Sequence, residues 1–238
     1  MFGTSRKILI LALFAIAALF AATPATAQHA GPSTPTSAGG CGAVAASTPA
    51  ASHDHGTGAT PEGTQVEFDL AYIDMMIPHH ESVIALAEVA LPTLTDQRLI
   101  DMANTIISTQ QVEIDELQAL RTSLYPDAAP VDVNNHEVLH TAFPTLLTWD
   151  MPMEEWANVM SADWQVKTFC ASATPDLAFV QQVIPHHEMA VLSSQDALTL
   201  STHPEVKAIA EKVIPAQTAE IDLLKQIETE LTSATPAS

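Results

Sequence analysis

Two stretches of this chain read almost alike, and both carry residue types that bind metal ions. DLAYIDMMIPHHE, Asp69–Glu81, recurs as DLAFVQQVIPHHE, Asp176–Glu188, at an offset of 107 residues. Each closes on Pro-His-His-Glu: Pro78-His79-His80-Glu81 and Pro185-His186-His187-Glu188. The offset continues without a gap, so that Gln110 matches Gln217, and Glu113-Ile114-Asp115 matches Glu220-Ile221-Asp222. Neutral imidazole suits Zn, Cu, Fe and Ni, and carboxylates can complete such sites. The same side chains can equally be core groups that hydrogen-bond to one another. Met75 and Met76 stand four residues before His79 and His80, so each Met–His pair shares a helix face. Thioether with imidazole favours copper, Cu(I) above all, over hard cations, although a methionine pair is also ordinary core filling. The second repeat has Gln182 and Val183 at the two methionine positions, which makes the first repeat the better sulfur site.

The elements that position these residues read as helices. Val66, Leu70, Ile73, Ile77, His80, Ile84, Ala87 and Leu91 step by four and three, as one face of a helix does. Pro92 stops that helix and Thr95 or Asp96 can cap the next, whose seam runs Leu99, Ala103, Ile106, Gln110, Glu113, Leu117, Leu120. The second repeat reproduces both seams, first as Leu177, Val180, Ile184, His187, Val191, Ser194, Leu198. The other runs Val206, Ala210, Val213, Gln217, Glu220, Leu224, Ile227. Two helical hairpins with apolar faces pack most simply as an all-α, antiparallel four-helix bundle. His80, Gln110, Glu113, His187, Gln217 and Glu220 then face the core, where an unpaired polar group costs about 1–3 kcal/mol. Their repetition points to a shared site on a pseudo-two-fold axis.

From a hairpin loop centred near residue 93, the helical rise places Glu113 about 10 Å beyond His80 along the bundle. Direct contact between them needs register drift or a kink. Pro78 and Pro185 supply a reason for one, since proline removes the hydrogen bond to the carbonyl four residues back, here that of Asp74 or Gln181.

The rest of the chain sets the context. Arg6 and Lys7, an apolar run from Ile8 to Ala22, and Ala25-Thr26-Ala27 have the layout of a secretory leader covering residues 1–27. The reading is a periplasmic or secreted protein that leaves the membrane after cleavage. Residues 28–64 are rich in Pro, Gly, Ser, Thr and Ala and read as a disordered tail, with His53 and His55 as a loose metal contact at most. The bundle spans 65–232: repeat one 66–124, a connector 125–173, and repeat two 174–231. The connector holds Trp149, Trp156 and Trp164 and is expected to lie ordered against the bundle, with a short helix near Glu154–Trp164. Cys41 and Cys170 are the two cysteines; their pairing is plausible in an oxidising compartment and undecided by sequence. With 28 acidic against 8 basic residues, a net charge of −20, the chain lacks the basic footprint of a nucleic-acid binder. A metal ion is the expected partner, and a homo-oligomer is compatible with the sequence.

On Asp74–Glu81, Gln110-x-x-Glu113-Ile114, Ile184–Glu188 and Gln217-x-x-Glu220-Ile221, the chain resembles the domain-of-unknown-function 305 family (DUF305) from about Val66 to Leu231. The family groups with ferritin-like four-helix bundles and comprises exported bacterial proteins, some associated with copper. The resemblance implies that fold and a copper or other transition-metal link. The departure at Gln182-Val183, where the family usually has Met-Met, puts a symmetric pair of methionine sites in doubt.

The leading expectation is an exported protein that binds or sequesters copper. Its ligands would come from Met75, Met76, His79, His80, Glu81, Gln110 and Glu113 in one repeat, and His186, His187, Glu188, Gln217 and Glu220 in the other. One alternative is a structural or interaction bundle with a His–Glu–Gln hydrogen-bonded core. A second is a ferritin-like metal oxidase, which uses Glu-x-x-His, a spacing missing from these seams. No nucleophile–base set or phosphate loop is evident, so the sequence leans against an enzyme.

Overall fold

The computed structural model describes residues 40–41 and 67–233, with Glu154 as backbone only. The leader, the 28–64 tail with His53 and His55, and Val66 lie outside the described residues, Cys41 and its neighbour apart. The described elements are α1 (Phe68–Ala90), α2 (Gln97–Leu124), α3 (His136–Ala142), a 3₁₀ turn (Pro144–Thr148), α4 (Met153–Met160), α5 (Ala162–Cys170), α6 (Pro175–Leu200) and α7 (Pro204–Ser233). The fold is the expected helical bundle of two repeated hairpins, α1–α2 and α6–α7.

α1 and α6 form the inner pair. They run antiparallel, because Tyr72 Oη meets Ser194 Oγ at 2.8 Å while Asp69 reaches the turn beyond α6 at Thr202. The outer helices follow their expected stripes: Leu99, Ala103, Ile106, Gln110 and Leu117 are buried on α2, and Val206, Ala210, Val213, Gln217, Leu224 and Ile227 on α7. The inner helices depart from theirs. Leu70, Ile77, Ile84 and Leu91 are only half-buried and Leu198 is exposed, whereas Met75, Met76, His79, Val83 and Leu86 are fully enclosed. A helix packed on every side has no single apolar stripe, and α1 is covered by α2, α5 and α6. Both inner helices continue through their prolines, Pro78 and Pro185.

The turns are fixed by capping and by the opposite hairpin. Asp96 caps α2, accepting from Arg98 N at 2.9 Å, and Pro175 opens α6, where its missing N–H is no loss. Asp69 accepts from Thr202 N (3.0 Å), Thr202 Oγ1 (2.9 Å) and His203 N (3.1 Å) in the α6–α7 turn. One repeat later Asp176 does the same in the α1–α2 turn, accepting from Thr95 N (2.8 Å), Thr95 Oγ1 (2.5 Å) and Asp96 N (3.2 Å). Each hairpin therefore clasps the other's turn. Asp69→Ala removes the carboxylate that accepts from the backbone N–H groups of Thr202 and His203 and is expected to cost about 3 kcal/mol in urea unfolding. Asp176→Ala should cost less, because Asp176 is only half-buried whereas Asp69 is 1% exposed.

The connector is more helical than expected: α4 and α5 are separate, divided at Ser161, whose side chain caps α5. Its start is tied down by Asp74, which pairs with Arg121 at 2.7 Å and accepts from Val131 N at 2.9 Å. α5 packs against α1, and its last residue, Cys170, forms a disulfide with Cys41 (Cα–Cα 5.3 Å). The pairing that sequence left open is present.

Candidate metal centre

The buried apolar side chains fall into two clusters along the inner pair. One holds Tyr72, Met75, Met76, Met189, Ala190 and Trp156; the other holds Val83, Leu86, Phe179, Val180, Val183 and Phe169. The segments between them carry the polar layer: His79, His80 and Ser82 on α1, His186 and His187 on α6, all at most 1% exposed.

His79 and His186 meet on the pseudo-two-fold axis. Their rings stack with centroids 3.6 Å apart, and each Nε2 donates to the other's backbone carbonyl, at 3.0 Å from His79 and 2.7 Å from His186. A carbonyl only accepts, so both rings carry the proton on Nε2. Their Nδ1 atoms keep a bare lone pair, buried and without a hydrogen bond. Burial, followed by the neighbouring imidazoles, holds both rings well below the usual histidine pKa, and they are neutral near pH 7.

His80 and His187 turn to the outer helices. His80 Nε2 lies 2.8 Å from Glu113 Oε2, and His187 Nε2 lies 2.9 Å from Glu220 Oε2. The close contact, expected to need register drift or a kink, is made in both repeats. Helical side chains lean toward their own N-terminus. His80 therefore leans away from the hairpin loop and Glu113 toward it, and together they close the gap. In neither pair is the carboxylate oxygen in line for a hydrogen bond, so all four ring nitrogens of His80 and His187 stay unsatisfied. Gln110 Oε1 and Gln217 Oε1 are likewise buried without a partner.

The twelve expected ligands do not converge on one point. His79 and His186 lie on the axis, and the His–Glu pairs form two separate units to either side. Glu81 is exposed, and Glu188 is engaged by Trp149 Nε1 (3.2 Å) and Lys225 Nζ (2.8 Å). Met75 and Met76 are fully buried, as is Met189. Gln182, at the position of Met75, spends its amide nitrogen on the Ala178 carbonyl at 3.3 Å.

Two further polar residues take part that the repeat does not announce. Ser82 Oγ donates to the His79 carbonyl at 2.7 Å and lies 3.1 Å from His186 Nε2. Gln165 on α5 reaches Ser82 Oγ at 3.3 Å and also donates to the Val159 carbonyl. Ser82 matches Met189 in the second repeat, so a search for residues shared by both copies passes over it.

Among solved structures, this chain is similar to CopM in its Cu(II)-bound form (TM-score 0.54, 28% identity, covering 68% of this chain and 97% of that one). It is also similar to CopM in its Cu(I)-bound form (TM-score 0.51, 26% identity, covering 68% and 96%). The Ag-bound form obtained by co-crystallization matches equally well, with TM-score 0.51 and 26% identity over 68% of this chain and 96% of that one. No curated protein matches the chain by sequence. The model of the family described as "Domain of unknown function (DUF305)" matches residues 24–122 and 132–228, and the chain belongs to that family.

Proposed function

We propose that this protein is an exported copper-binding protein that holds the ion in two related units of the polar layer: His80 with Glu113 and Gln110, and His187 with Glu220 and Gln217. One observation carries the reading. In both repeats a buried imidazole nitrogen and a carboxylate oxygen lie 2.8–2.9 Å apart with no hydrogen bond between them. Two donors bound to one ion at about 2.1 Å each, at a right angle, stand about 3 Å apart. The separation is of hydrogen-bond length, but the oxygen is out of line for a hydrogen bond, and the same separation suits two donors that share one ion. Gln110 and Gln217 add bare amide oxygens, whereas His79 and His186, on the axis, complete no trio of ligand atoms within 4.8 Å with either His–Glu pair. Met75 and Met76 add sulfur to the first repeat only, which favours Cu(I) there. Similarity to copper- and silver-bound CopM supports the choice of metal. The Cys41–Cys170 disulfide fits the oxidising compartment to which the leader points.

The test is titration of the purified mature chain with Cu(I) against a competing chelator. Wild type is expected to bind in the chelator's range, and His80→Gln/His187→Gln about 100-fold more weakly. Glu113→Gln/Glu220→Gln should weaken binding by at least about tenfold, since the amide keeps a neutral oxygen but loses the charge of the carboxylate donor. Equal affinity in all three proteins would overturn the assignment and leave the imidazoles as core residues.

A further inference from the structure

The two ends of the pseudo-dyad are built on one plan but furnished differently. At Asp176 the clasp is complete with Thr95 and the backbone of Asp96. At Asp69 the matching positions are Thr202 and His203, and two more polar side chains join them: Glu67, where the other repeat has Thr174, and Tyr125, where it has Thr232. The Asp176 end shows that holding the turn requires neither an imidazole nor a phenol, and its second carboxylate, Asp96, is spent on capping α2 and on Arg98. At the Asp69 end an imidazole, a phenol and the Glu67 carboxylate stand together.

Their geometry is tight. Glu67, Asp69 and His203 each place one ligand atom within 4.8 Å of the others, and no other His, Cys, Asp or Glu trio among the described residues does so. His203 Nδ1 is 2.6 Å from Asp69 Oδ2. Tyr125 Oη donates to Glu67 Oε1 at 2.6 Å and lies 3.4 Å from His203 Nδ1. Asp69 is 1% exposed, and its Oδ1 is buried without a hydrogen bond. The Ser201 hydroxyl is spent on the His203 carbonyl at 3.0 Å. Burial and the Glu67 carboxylate push the Tyr125 phenol well above its usual pKa, so it stays a hydrogen-bond donor that orients Glu67. Glu67 is exposed and His203 half-buried, so a cation reaches the trio from solvent without opening the bundle.

We propose that Glu67, Asp69 and His203 form a divalent-cation site at the rim of the bundle, for a borderline first-row ion such as Zn(II). Two carboxylate oxygens and one imidazole nitrogen are a donor set for Zn(II), and a poor one for Cu(I), which prefers sulfur. The Asp69–His203 pair, 2.6 Å apart, with the Glu67 carboxylate beside it, is what an ion would bridge. The site is independent of the copper units in the polar layer and stands whether or not they bind metal.

The experiment is a Zn(II) titration of the purified chain against a fluorescent chelator, comparing wild type with Glu67→Gln/His203→Gln and with His80→Gln/His187→Gln. Asp69 is left intact because it holds the turn, and far-UV circular dichroism confirms that each variant is folded. Loss of one Zn(II) equivalent, or a weakening of at least 30-fold in one Kd (about 2 kcal/mol), is expected in Glu67→Gln/His203→Gln. That equivalent should persist in His80→Gln/His187→Gln. In wild type, Zn(II) should also shift the NMR resonances of the His203 ring. The proposal is overturned if wild type takes up no Zn(II), if Glu67→Gln/His203→Gln binds as wild type does, or if the equivalent disappears only with His80 and His187.

Discussion

The metal-free protein is expected to lose stability as pH falls from 7.5 to 5.0 through His79 and His186. Both rings are fully buried, and burial, reinforced by the neighbouring imidazoles, holds them neutral well below the ordinary histidine pKa of 6.5. The unfolded chain releases both to water, where each takes up a proton as pH falls through about 6.5. Below that pH the unfolded state binds more protons than the folded state, so stability falls with falling pH. It is fully present above pH 6.5 and declines down to the depressed folded values. Each group contributes a slope of about 1.4 kcal/mol per pH unit within that window. Urea unfolding of chelator-treated protein across this range should show the decline. In His79→Phe/His186→Phe it should be shallower, whatever the starting stability of that variant. A wild-type curve as flat as the variant's would show that the rings accept protons where they stand.

Copper should act in the opposite direction. A ligand that binds only the folded state at 100 times its Kd adds about 2.7 kcal/mol per site, and two equal sites add about 5 kcal/mol. Under ascorbate, Cu(I) is therefore expected to raise the unfolding midpoint of wild type strongly and that of His80→Gln/His187→Gln hardly at all. Met75→Leu/Met76→Leu should lose roughly half of the increment, because only the first repeat has a methionine pair four residues before its histidines. The metal-free stability of this last variant should change little, since leucine nearly conserves the volume of a buried methionine. A wild type that gains nothing from copper would make the His–Glu pairs a feature of core structure.

What was legible in the sequence follows from how each element is buried. α2 and α7 pack on one side, so their stripes could be read directly; α1 and α6 are enclosed, and every register of a helix such as FDLAYIDMMIPHHESVIALAEVA offers an apolar face. The polar layer showed because Gln110 and Glu113 interrupt seams that are otherwise apolar, and do so again at Gln217 and Glu220. His80–Glu113 contact was hidden because counting residues tracks Cα positions, whereas the lean of two side chains on antiparallel helices makes the contact. Asp69 and Asp176 open the two repeats, yet their partners lie in the turn of the other hairpin, 80 or more residues away in sequence. No local pattern encodes such a meeting. The disulfide was undecidable for the same reason: pairing depends on where Cys41 and Cys170 are brought, not on their count.

The reciprocal clasps make the contact between hairpins geometrically that of a two-fold dimer, with residue i of one half meeting residue j of the other and the converse. A chain with one repeat alone would carry half of every such contact and could complete them only with a second copy. In that dimer each substitution would appear twice, related by the axis. Joining the halves in one chain lifts that restriction. Ser82 faces no serine mate but Met189, Met75 has Gln182 as its counterpart, and His203 has Asp96. The scaffold stays symmetric because it needs both halves to close, while the chemistry hung on it is free to differ from end to end.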